Sequence, residues 1–181
     1  TKLAEAKFVD VVPQRGTQVA PLRMEDLQRS QFMREALELA LLRRAMELGE
    51  LQALVQELKK QVTLQQTYVT FEDTKGFYAA DEAFHALIAE HARQPSILPE
   101  IFRVKDHMDR FRHLMVESVE DLNTVINQHR EIVEAIEVGS VEAAERSMIR
   151  HLRRIFDYID EARREFPDYF ENLDRQGGAL G

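Results

Sequence analysis

From Met24 onward the apolar residues of this chain recur at helical spacing. Leu37, Leu41, Leu48, Leu51, Val55, Leu58 and Val62 follow one another at three, four or seven residues, and Gly49 divides the run into two helices. A third helix is predicted from about Asp73 to Ala92, with Pro95 as its stop. Ser96 is expected to cap a fourth, whose inward stripe is Ile97, Ile101, Val104, Met108, Phe111 and Met115. A fifth carries Leu122, Val125, Ile132 and Ile136 and ends at Gly139. Ser140 opens a sixth, with Val141, Ala144, Met148, Ile155 and Ile159 on one face. Thr1–Leu22 is patterned differently: Phe8–Val12 is apolar and β-branched, Pro13–Gly16 is turn-like, and Thr17–Val19 resumes a strand. The fold expected is all-α, an antiparallel bundle of six to seven helices preceded by a short β-hairpin. A lone hairpin is marginal in water, so this one must lean on something.

Composition narrows the functions open to such a bundle. At 181 residues folding buries roughly 70% of the extended chain's surface, enough for a core without staples. The absence of Cys excludes disulfides, Cys-ligated zinc, iron–sulfur clusters and thiol catalysis. No apolar run approaches the roughly 20 residues of a membrane span and no signal-peptide pattern opens the chain, so a cytoplasmic location is expected. The net charge of −8 argues against nonspecific binding to phosphate backbones. That charge is uneven, because Thr1–Leu22 carries three basic and two acidic residues, a net +1 against −9 for the remainder. Two segments with different electrostatics suggest two roles.

Polar residues interrupt the apolar stripes. On the third helix the inward positions read Phe77, Asp81, Phe84, His85, Ile88, so a carboxylate and an imidazole sit one turn apart on the face expected to be buried. His129 lies between Val125 and Ile132, and His151 between Met148 and Ile155. Burying one Asp and three His costs several kcal/mol unless something satisfies them. A divalent cation would do so, taking imidazole nitrogen and carboxylate oxygen from several elements, and Asp81, His85, His129 and His151 supply four such ligands. The plainer reading is a hydrogen-bonded network of core histidines. His91 and His113 are expected to be solvated, and His107 borders its stripe. Glu82–His85 reads E-x-x-H, but the second such motif that a di-iron bundle requires is missing.

In order and spacing, Asp81-Glu82-Ala83-Phe84-His85, Gln128-His129-Arg130-Glu131-Ile132 with Ala135-Ile136, Gly139-Ser140-Val141-Glu142-Ala143-Ala144 and His151-Leu152 resemble the FadR-type C-terminal (FCD) ligand-binding domain of GntR-type bacterial transcription regulators. The resemblance spans Leu22 to about Arg164. Residues 1–22 are similar to the end of a recognition helix and the wing of that family's winged helix-turn-helix domain, with Arg15 and Gly16 at the DNA-facing turn. It therefore implies a regulator rather than an enzyme. The division is then a DNA-binding remnant over 1–22, a metal- and effector-binding, dimerising helical domain over 23–173, and a disordered tail over 174–181.

The resemblance also implies that Asp81, His85, His129 and His151 bind a divalent metal, zinc or alternatively nickel, iron or manganese. A small organic acid effector would meet the metal, with Arg34 and then Arg110 as effector-binding candidates. The partners implied are operator DNA, that effector and a second copy of the chain. Gln94 and Ser140 depart from the family's usual Asn and Asp. Rival readings are a metal-dependent helical-bundle enzyme, which lacks an evident general base here, a metal-free sensor of the acyl-CoA type, and an interaction bundle without a ligand.

Overall fold

The computed structural model describes residues 2–115 and 119–171; the tail expected over 174–181 lies outside them. A single turn of helix, α1 (Lys2–Glu5), leads into an antiparallel pair, β1 (Val9–Val12) and β2 (Gly16–Val19), registered Val9 on Val19 and Val12 on Gly16. Gly16 adopts φ 91°, a conformation the turn requires and that glycine adopts without a Cβ clash. Then come the helices α2 (Met24–Leu48), α3 (Leu51–Thr70), α4 (Thr74–His91), α5 (Leu98–Leu114), α6 (Val119–Glu137), α7 (Val141–Arg153) and α8 (Ile159–Glu165).

Their ends follow local chemistry. Gly49 closes α2 in the left-handed region at φ 80°. The Asp73 carboxylate accepts the Gly76 N–H at the start of α4, and Ser140 Oγ accepts the Ala143 N–H at the start of α7.

Two expectations are corrected. Ser96 does not cap the fourth long helix: Pro95–Ile97 forms a 3₁₀ turn and α5 begins at Leu98, with Pro99 in its first turn. Proline fits a first turn because it has no N–H to leave unpaired there. The sixth helix is also not continuous, since α7 ends at Arg153 and Arg154–Tyr158 winds as a 3₁₀ turn before α8. The apolar spacing of Ile155 and Ile159 survives that tightening, so periodicity alone does not reveal the break.

The main core joins α2, α3, α4, α6 and α7 around fully buried Leu42, Leu54, Leu58, Phe84, Ile126, Ile132, Ile136 and Met148. A second, smaller core holds Leu22 and Leu27 against Phe111, Ile159, Ala162 and Phe170. Leu22 is also bridged to the 169–171 backbone, its N–H donating to Tyr169 and its carbonyl accepting from Glu171. α5 packs along α2, and its Lys105 reaches Glu82 of α4 at 3.2 Å. The hairpin leans on α5 and on the start of α2. Phe8 stacks on His107 at 4.7 Å, His107 Nε2 lies 3.0 Å from the Ala6 carbonyl, Arg110 donates to the Ala20 carbonyl, and Lys7 pairs with Asp26.

Candidate metal centre

Three helices of the main core each turn one or two polar side chains inward. α4 supplies Asp81 and His85, α6 supplies His129 and α7 supplies His151, and one ligand-type atom from each of the four lies within 4.8 Å of the others. His85 Nε2 is 3.2 Å from His151 Nε2, which is 3.3 Å from His129 Nε2, and Asp81 Oδ1 is 3.6 Å from that same His129 nitrogen. Two nitrogens each 2.0–2.1 Å from a tetrahedral ion are about 3.3 Å apart, so this spacing is that of ligands sharing a cation.

Each outer nitrogen lies against a side-chain oxygen. His129 Nδ1 faces Gln65 Oε1 on α3 at 2.9 Å, His151 Nδ1 faces Gln128 Oε1 at 3.2 Å, and His85 Nδ1 is 2.5 Å from Glu38 Oε2 on α2. Ionised Glu38 can only accept, which puts the His85 proton on Nδ1 and leaves its Nε2 lone pair facing inward. With the two glutamine oxygens accepting likewise, three lone pairs and one carboxylate converge without a donor among them.

Burial makes a proton a poor substitute for a cation here. It pushes His129 down to about 3, with Asp81 opposing and His85 reinforcing the shift. Burial and then the neighbouring His129 and His85 push His151 well below the usual imidazole range. Burial alone would raise Asp81, yet His85, His129, Arg112 and Lys105 together lower it to about 2. Glu38 is likewise opposed by burial and held far below the usual carboxylate range by Arg34 and His85. Neutral His129 and His151 beside an ionised Asp81 are the protonation states a divalent ion needs, so the residues present fit one.

The cluster opens onto a cavity of about 620 Å³ of atom-free space, its mouth included, with Asp81 and His151 in its wall. Arg34 also lines it and is itself buried, its Nε bonded to Glu38 Oε1 at 2.6 Å. Arg110 does not line it. That side chain faces the hairpin and the 167–171 segment, while Arg112, two residues on, takes the cavity side of α5. Arg15 and Gly16 stand exposed at the hairpin turn. His113 is exposed as expected. His91, expected to be solvated, is half-buried and 3.1 Å from Glu57, because the end of α4 packs against α3.

Residues 31–154 match the FCD domain family. The chain belongs to that family. A helix-turn-helix transcriptional regulator of Streptomyces ambofaciens is 33% identical over 177 residues, covering 93% of this FCD chain and 70% of its own length. The transcriptional repressor RspR of Escherichia coli K12 is 28% identical over 169 residues, covering 93% and 74%. Among solved structures, E. coli McbR/YncC superposes with TM-score 0.72 at 17% identity, over 91% of this chain and 81% of its own. A GntR-type regulator of Rhodococcus sp. RHA1 gives 0.60 at 21%, over 94% and 77%. The FCD chain is a transcription regulator, and its relatives are regulators rather than enzymes. No helix among its described residues is long and apolar enough to cross a membrane.

Spacing did not single out Glu38, Gln65, Gln128, Arg112 or Arg154. Gln65 was detectable, since it breaks the α3 stripe between Val62 and Val69 as the histidines break theirs. Glu38 sits four residues after Arg34, the step at which two helical side chains meet.

Proposed function

We propose that the helical domain, residues 23–173, is the effector-sensing, dimerising part of the regulator, and that Asp81, His85, His129 and His151 hold a divalent cation. Zinc suits three nitrogens and one oxygen, and nickel, iron or manganese would also accept that set. The cation would supply a Lewis-acidic position for one carboxylate oxygen of a small organic acid. Glu38, Gln65 and Gln128 orient the imidazoles from outside. Arg34, buried against Glu38 in the cavity wall, takes part in recognising the effector. Arg110 has its role in the hairpin contact instead.

The observation that carries this reading is the convergence of three Nε2 atoms, neighbours 3.2–3.3 Å apart, while each Nδ1 lies against an oxygen outside the cluster.

Residues 1–22 serve as the end of a winged helix-turn-helix module, with Arg15 and Gly16 at the turn that approaches operator DNA. Helix α5 supports a route between the two parts. Met108, Phe111 and Arg112 line the cavity, while His107 and Arg110 grip the 6–20 segment. An effector that pressed on α5 would move the wing. In a homodimer this would change the fit to half-sites roughly 34 Å apart.

The test is metal content of the purified chain by elemental analysis, with circular dichroism as the control for folding. About one equivalent is expected, falling to near zero when His129 and His151 are both replaced by Ala. A variant that folds and retains its metal overturns the assignment.

A further inference from the structure

We infer that the cleft between the hairpin, α5 and the 167–171 segment binds a small apolar monoacid, anchored by its carboxylate at Arg110. The site is separate from the metal-side cavity, with which it shares no lining residue among those described, and it does not depend on the cation proposed there.

The cleft holds about 1250 Å³ of atom-free space, its mouth included, and Arg110 stands in its wall. One Nη of that guanidinium donates to the Ala20 carbonyl, whereas the other is shut off from solvent and meets no acceptor. No carboxylate among the described residues pairs with it. Glu171, in the same lining, is taken by Arg23 at 3.1 Å, and Asp168 is exposed to water. Burial, and then the nearby Arg23, push Arg110 down from the usual guanidinium range. A half-buried cation without a counter-ion is costly, and an anion in the cleft removes that cost. The stranded N–H has no bond to lose when it turns onto an incoming carboxylate, so the charge-assisted contact is gained whole.

The walls set the rest of the ligand. Val19 is 76% exposed and Tyr169 is 55% exposed, and both line the cleft together with Pro21 and Pro167. Apolar surface left in water gains by being covered, so an aliphatic or aromatic body belongs against these residues. One unpaired guanidinium calls for one negative charge. A second carboxylate would meet Asp168 and Glu171, which repel it. An occupant lies between the end of β2 and the 167–171 segment, and so ties the hairpin to the helical domain.

The experiment is isothermal titration calorimetry of the purified chain, with and without chelator, using 3-phenylpropionate and hexanoate against their neutral amides. At least one acid is expected to bind ten or more times tighter than its amide, in the chelated chain as in the untreated one. Arg110→Gln should weaken that acid at least tenfold, and Arg110→Lys should recover part of the loss. Val19→Glu, at an exposed position that leaves the fold intact, should weaken it about threefold or more, and Val19→Lys should not. Hydrogen exchange of the unaltered chain should slow over 16–22 and 167–171 when the acid is bound. Equal binding of acid and amide overturns the inference, as does an affinity unchanged in both Arg110→Gln and Val19→Glu. Binding that chelation abolishes, or protection confined to α4, α6 and α7, puts the acid at the metal-side cavity and overturns it too. So does the failure of both acids to bind.

Discussion

Glu38 is the residue on which the centre's second layer turns, and Glu38→Gln tests it. The carboxylate is buried, with Arg34 Nε at 2.6 Å on one oxygen and His85 Nδ1 at 2.5 Å on the other. Glutamine preserves the volume but removes the charge, leaving the Arg34 guanidinium, 3% exposed, without its counter-ion. Breaking a buried pair in this way costs roughly 3–5 kcal/mol. For a chain of this size each kcal/mol moves the midpoint about 2–4 °C, so the melting temperature should fall by about 6–20 °C. The amide also offers one acceptor oxygen where the carboxylate offered two, so Arg34 and His85 compete for it and the hold on the His85 tautomer loosens, which should weaken metal binding by about 10–100-fold. Thermal melts followed by circular dichroism at 222 nm, and zinc competition against a chromophoric chelator, read the two effects separately. Replacing Arg34 by Met together with Glu38 by Leu should return much of the stability and none of the metal affinity, because an apolar pair removes the stranded charge but provides no acceptor. A Glu38→Gln protein melting within 2 °C of the parent with unchanged zinc affinity would refute the reasoning.

Two further outcomes follow from the same structure. In chelator-treated protein, stability should fall as the pH drops from 7.5 to 5.0. Unfolded imidazoles take up protons near pH 6.5, whereas the folded chain keeps His129 neutral down to about 3 and His151 well below its usual range. The unfolded state therefore binds more protons throughout that window, and acid favours it. Asp81 extends the loss further into acid, since its stabilising charge is complete above about 3.8 and is lost as the pH falls through about 2. A melting temperature that is flat or rising between pH 7.5 and 5.0 would contradict this account. Phe8→Ala removes the stack on His107 and should cost about 0.5–1.5 kcal/mol locally. Hydrogen exchange should accelerate in Val9–Val19 and not in α3 or α6, whereas unchanged protection of the hairpin would show that this stack does not hold it.

Much of the helical scaffold was readable because burial imposes a period. Leu41, Leu58 and Ile132 lie inward for the reason their spacing suggested: an amphipathic helix has one face to hide. Asp81, His85, His129 and His151 stood out by the same rule, as polar residues on faces that should have been apolar. Where two conformations share nearly the same spacing, the pattern was silent. The 3₁₀ turn at Arg154–Tyr158 keeps Ile155 and Ile159 on the core side, and the turn at Pro95–Ile97 displaces Ser96 from the cap it was expected to form.

The sequence by itself determined which faces are buried and which polar residues share them, because those are properties of one helix at a time. Tertiary structure alone decided that Glu38, Gln65 and Gln128 reach the outer nitrogens, that Arg112 rather than Arg110 faces the cavity, and that His107 meets Phe8 across a sequence separation of nearly a hundred residues. Those choices depend on how rods rotate and cross when their ridges pack together. Arg110 and Arg112 stand about 160° apart around a helix of 3.6 residues per turn, so the rotation of α5 decides which of them lines the cavity and which grips the neighbouring segment.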